Sequence, residues 1–133
     1  MAFEKETLEA LKTHQAEYLN TVWKTFAALM VSIGWILSSA VTRDFLSSSP
    51  TVKSVAIGVV LLMAVMHWLS LNDLYLKSRQ ISLAMSVDSA VYQAIAQSYV
   101  IKRVATLASF FINGLLYSLL ITLIVGGKVM ING

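Results

Sequence analysis

Three long runs without a single Asp, Glu, Lys or Arg divide this chain: 25–42 after Lys24, 54–72 after Lys53, and 104–127 after Arg103. The hydrocarbon core of a bilayer, about 30 Å thick, takes roughly 20 helical residues at about 1.5 Å each. The pattern therefore predicts three transmembrane helices, at 25–42, 54–72 and 104–127. The third is the longest and has room to tilt.

The polar segments also carry a pattern. Residues 1–24, MAFEKETLEALKTHQAEYLNTVWK, place Leu8, Leu11, Tyr18, Leu19 and Val22 on one side, with Glu4, Glu6, Glu9 and Glu17 elsewhere. This predicts an amphipathic cytoplasmic helix running straight into the first span. It lacks the short apolar core and small-residue cleavage site of a signal peptide. Ser49 followed by Pro50 reads as a helix cap and first helical position, starting the second helix just before the membrane. Beyond that span, residues 73–103 contain no Gly or Pro. They predict a helical hairpin outside the membrane, with its turn at 86–89 around the capping residue Asp88 and an apolar stripe of Leu83, Ala84, Val87, Ala90, Val91, Ala94 and Ile95. From the turn a single helix is expected to continue through Arg103 into the third span. The expected fold is an all-α membrane protein, residues 1–133 forming one helical domain with an N-terminal amphipathic helix and a helical cytoplasmic extension between spans two and three.

Composition strengthens this picture. The chain is 57% hydrophobic and 13% charged, against about 25% charged in soluble domains, and a soluble fold of 133 residues has too little interior for so much apolar surface. The absence of cysteine excludes disulfides, thiolate-bound zinc, iron–sulfur clusters and cysteine nucleophiles within the chain.

Charge supplies orientation, because basic residues flanking spans are retained in the cytoplasm. Seven Lys and Arg fall in the N-terminal segment and the second loop (Lys5, Lys12, Lys24, Lys77, Arg79, Lys102, Arg103), against three in the first loop and the C-terminus (Arg43, Lys53, Lys128). The N-terminus is therefore expected in the cytoplasm and the C-terminus outside, in a bacterial cytoplasmic membrane. Trp23, Lys24, Lys77, Arg79, Lys102 and Arg103 are the expected interface anchors. The net charge of +3 reads as topology and contact with anionic lipid, and it forms no stripe suited to nucleic acid.

The candidate chemistry is sparse. His67 lies inside the second span, about 9 Å from its cytoplasmic end when counted from Asp73. Ser109 comes out at a similar depth and Ser32 at about 12 Å, while Asn113 lies about 15 Å beyond Arg103. These four make an expected intramembrane polar layer, with His67 a neutral imidazole satisfied by Ser32, Ser109 or a carbonyl. A proton or ion pathway through His67 and haem ligation by it are the competing readings, and the second needs a further histidine from another subunit. His14, the other histidine, is expected on an exposed helix surface. Gly34, Ser38, Gly58, Gly114 and Ser118 are small residues suited to close helix packing. Arg43 and Asp44 read as a local ion pair or a head-group contact. No metalloprotease, nucleotide-binding or nucleophile motif occurs, so neither a catalytic residue nor a bound metal or cofactor is expected.

These readings converge on a non-enzymatic membrane protein that acts by helix packing, with lipids and with itself or other membrane subunits as partners. An oligomeric channel or pore is the alternative, and a haem- or quinone-binding anchor the third reading.

Overall fold

The computed structural model describes residues 2–85 and 90–126, and helix accounts for 94% of them, with no strand among them. Five helices follow in order: α1 Ala2–Ser38, α2 Ala40–Ser47, α3 Pro50–Ala84, α4 Ala90–Tyr99 and α5 Arg103–Gly126. Three helical stretches are long and apolar enough to cross a membrane.

Local chemistry sets most of the boundaries. The N-terminal amphipathic stretch and the first apolar run form one uninterrupted helix, α1. It stops at Ser38, so the expected first span, 25–42, is interrupted at Ser39 and its last three residues belong to α2. Ser39 takes an extended backbone and its Oγ accepts the amide N–H of Thr42 at 3.2 Å, capping α2. The outgoing carbonyls of α1 are not left bare, because Arg43 Nη1 donates to Ile36 O at 3.0 Å and Leu37 O at 2.5 Å. Arg43 is thus a cap for α1 rather than a partner of Asp44. The α3 start follows the Ser-Pro signal, with the Val52 amide donating to Ser49 Oγ at 3.1 Å and Pro50 as first helical residue.

A second departure lies before the third span. The helix expected to run unbroken through Arg103 ends at Tyr99, and α5 begins at Arg103. At the break, Ile101 is buried and its backbone N–H donates to Oγ of the fully buried Ser78 at 3.0 Å. The tertiary bond replaces one helical bond, which is why sequence lacking Gly and Pro still breaks. The expected turn at 86–89 lies outside the described residues.

The helices contribute to two compact units. The first comprises residues 2–23 and 69–109. Its buried residues are Leu11, Tyr18, Leu71, Ser78, Ala96, Ile101 and Thr106. Leu11 and Tyr18, like Leu71 and Ser78, are seven apart, the spacing of a single helical seam. Tyr92 donates to the backbone carbonyl of Glu4, Tyr18 Oη to Ser109 Oγ at 3.1 Å, and the Lys12 ammonium lies 5.4 Å from the Tyr99 ring centre. Leu19 is exposed, off the expected N-terminal stripe, and Leu83, Val91 and Ile95 are exposed as well. The inward face of α4 is instead Tyr92, Ala96 and Tyr99.

The second unit comprises residues 24–68 and 110–126. Its core is Leu29, Ile33 and Ile36 of α1, Val60 of α3, and Tyr117, Leu120, Leu123 and Ile124 of α5, with Leu46 of α2 packed against it. Lys53 Nζ donates to Val125 O at 3.1 Å near the end of α5, where a cation is favoured by the helix dipole.

Candidate functional site

Within the second unit, three helices each place one polar side chain at a common point. Thr25 comes from α1, His67 from α3 and Asn113 from α5. Thr25 Oγ1 lies 2.9 Å from His67 Nδ1, and Asn113 Nδ2 lies 3.0 Å from His67 Nε2. The amide nitrogen has only protons to offer, so Nε2 must accept. A neutral imidazole then carries its proton on Nδ1 and donates it to Thr25 Oγ1. Asn113 is 3% exposed, and its Oδ1 is buried with no hydrogen-bond partner among the described residues. Leaving such an atom unpaired costs about 1–3 kcal/mol.

Aromatic rings frame this knot. Tyr117 is buried with its ring centre 6.3 Å from that of His67, and Trp68 meets Phe110 edge to face at 6.0 Å. A cavity of about 240 Å³ lies beside them, walled by Leu61, Ala64, Trp68, Phe110 and Gly114 as well as by His67 and Asn113.

The expected polar layer is therefore drawn differently. The structure brings His67 and Asn113 together and leaves Ser32 and Ser109 out: Ser32 Oγ donates to Ala28 O at 2.8 Å, and Ser109 Oγ donates to Ala105 O at 2.8 Å and accepts from Tyr18. Counting inward from Asp73 and from Arg103 places His67 and Asn113 about 6 Å apart in depth. Their hydrogen bond shows that these two charges do not mark one level. Thr25 and Tyr117 were not anticipated. The signal for the His67–Asn113 pair was present, since they are strongly polar residues well inside the spans and each requires a partner; nothing in the local sequence singles out Thr25.

Gly34, Ser38, Gly58, Gly114 and Ser118 are all exposed, and a Cβ built on Gly34, Gly58 or Gly114 meets no atom within 4 Å. They do not mediate close packing inside this chain. Trp23, Lys24, Lys77, Arg79, Lys102 and Arg103 are exposed too. Lys77 Nζ lies 2.7 Å from Asp73 Oδ2, and that hydrogen bond, with the carboxylate charge, raises the Lys77 pKa above the ordinary lysine value. His14 Nδ1 lies 2.7 Å from Ala10 O, a half-buried contact within its own helix rather than the exposed position expected of it. Among the described residues no group of three or more His, Asp and Glu is placed to hold a metal ion.

Comparison with protein families, curated proteins and solved structures finds no match to this chain.

Proposed function

We propose that this chain is a non-enzymatic integral membrane protein of a bacterial cytoplasmic membrane, acting by helix packing as a homo-oligomer or as an accessory subunit of a larger membrane assembly. Its N-terminus and residues 73–103 face the cytoplasm and its C-terminus the outside. One observation carries the packing role. Gly58 and Gly114 are open on faces where Val55, Val59 and Leu62 of α3 and Phe111 and Leu115 of α5 are also exposed. Small residues on an apolar face let a neighbouring helix approach closely, and between lipid-embedded helices such packing replaces the hydrophobic driving force. The polar groups of the spans favour this reading over a pore. Ser32, Ser109 and Thr122 are bound to carbonyls of their own helices, and Asn113 is committed to His67. Both ring nitrogens of His67 are engaged, which weighs against haem ligation through it.

Gly114→Leu tests the packing role at an exposed position of α5 where an added Cβ meets no atom within 4 Å, with helix content followed alongside because Gly114 also walls the cavity beside His67. Light scattering of the protein purified from its native membrane in mild detergent is expected to show a lower assembled mass for the variant at unchanged helix content. An unchanged mass would exclude the α5 face as the interface. Orientation is tested by single cysteines at Thr13, Ser48, Ser89 and Asn132 probed with a membrane-impermeant thiol reagent in intact cells. Labelling is expected at Ser48 and Asn132 only, and labelling at Ser89 but not Ser48 would reverse the topology.

A further inference from the structure

The His67–Asn113 contact fixes where the imidazole proton sits and leaves one amide atom over. We propose that protonation of His67 turns the Asn113 amide over, making the pair a two-state proton sensor held between α3 and α5. In the neutral state Nε2 accepts from Asn113 Nδ2 at 3.0 Å, and Nδ1–H donates to Thr25 Oγ1 at 2.9 Å. The one vacant basic position on the ring is the Nε2 lone pair, so a second proton lands there. Nε2–H would then point at Nδ2–H, donor against donor. A half-turn of the amide exchanges its oxygen and nitrogen at almost the same shape and brings Oδ1 to Nε2–H.

Oδ1 has no partner to lose in this turn. In its new position it accepts a charge-assisted hydrogen bond, roughly twice as strong as a neutral one. One amide atom is unpartnered in either state, Oδ1 before and Nδ2 after, so the number of hydrogen bonds does not oppose the swap. The Thr25 bond is retained throughout, because Nδ1 carries its proton in both states.

The surroundings leave the amide as the acceptor for the new proton. On α5 the titratable group facing His67 is the neutral Tyr117 ring, 6.3 Å away between centres, and residues 104–126 contain no charge. On α3 no charge lies between Lys53 and Asp73. On α1 the charged neighbour of Thr25 is Lys24, which is exposed. No carboxylate on these segments competes with Oδ1 for the imidazolium.

The test is solid-state NMR of the full chain in phospholipid bilayers, labelled with ¹⁵N at histidine and asparagine, across a pH titration. It carries His14→Gln, because His14 Nδ1 also contacts a carbonyl and would give a similar signal. At neutral pH the expected pattern is a protonated Nδ1 and a bare Nε2 correlated with the Asn113 amide protons. On acidification Nε2 gains a proton, and the Asn113 side-chain resonance shifts in the same step. In Asn113→Leu the Nε2 correlation is lost and the preference for the Nδ1 proton disappears. A neutral form protonated on Nε2, an Asn113 resonance that stays still while His67 titrates, or a His67 that never titrates before the protein denatures would each overturn the proposal. The wild-type titration decides the matter even if the leucine variant does not fold.

Discussion

The two units are held together by different chemistry. In residues 2–23 and 69–109, aliphatic contacts at Leu11 and Leu71 are interleaved with ties to backbone groups, such as Tyr92 to Glu4 O and Ile101 N to Ser78 Oγ. In residues 24–68 and 110–126 the core is eight buried apolar residues, tied across helices by the Thr25–His67–Asn113 knot and by Lys53 Nζ donating to Val125 O. If the second unit lies in lipid, as proposed, the same leucine does different work in each. In water, burying a leucine removes apolar surface from the solvent. In lipid the surrounding tails are as apolar as the side chain, so association depends on packing and on hydrogen bonds. The knot and the Lys53–Val125 O bond are then the directional contacts that help fix rotation and register of α1, α3 and α5.

Matched core truncations give the largest expected contrast. Leu11→Ala, at a fully buried site of the first unit on the N-terminal segment proposed to face the cytoplasm, should destabilise by about 2–5 kcal/mol. Leu123→Ala in the second unit should cost less, because it forfeits packing but little transfer free energy. Reversible unfolding in mixed micelles checks the pair, and equal losses would show that both units face the same solvent.

The next contrast lies inside the knot. His67→Asp puts a carboxylate among groups that carry no cation, at an expected cost of up to about 2.5–3.5 kcal/mol, the value for an acid at the centre of a span. His67→Gln keeps one donor and one acceptor, so it should lose at most about 0.6–2 kcal/mol. Thermal aggregation of the two variants in one detergent ranks them, and an equal loss would mean that ring shape rather than hydrogen bonding matters.

Ser78→Ala sharpens the comparison from the other unit. It strips the buried Ile101 N–H of its acceptor, with an expected cost of about 1–3 kcal/mol. Hydrogen exchange at Ile101 should accelerate while exchange at Tyr117 remains unchanged. Acceleration at both sites would show the two units unfolding as one.

The smallest effect concerns Lys77 and Asp73, both exposed. The raised folded-state pKa of Lys77 means that the pair's contribution is fully present below the ordinary lysine value and is lost as pH rises through the raised one. Asp73→Asn should lower the Lys77 pKa toward that ordinary value, as read by NMR of its side chain, with no measurable change in stability near neutral pH. An unmoved Lys77 would remove Asp73 as the cause.

Much of this protein is written locally. Runs free of charge placed the three long apolar helices, because hydropathy is a property of each segment by itself. Ser49 and Pro50 marked the start of α3 for the same reason: a cap is decided within three or four residues. The exposure of Trp23, Lys24, Lys77, Arg79, Lys102 and Arg103 follows from the cost of burying a charge or a wide amphipathic ring without a partner. What only the tertiary structure decided is everything that needs two helices at once. An error of one residue rotates a helical face by about 100° and shifts it by about 1.5 Å. The inward face of α4 therefore fell on Tyr92, Ala96 and Tyr99 instead of Val91 and Ile95, and the partners of His67 became Thr25 and Asn113 instead of Ser32 and Ser109. The break at Ile101 belongs to the same class. Its local sequence permits an unbroken helix, and only the buried Ser78 hydroxyl, far away in the chain, offers the hydrogen bond that makes stopping there stable.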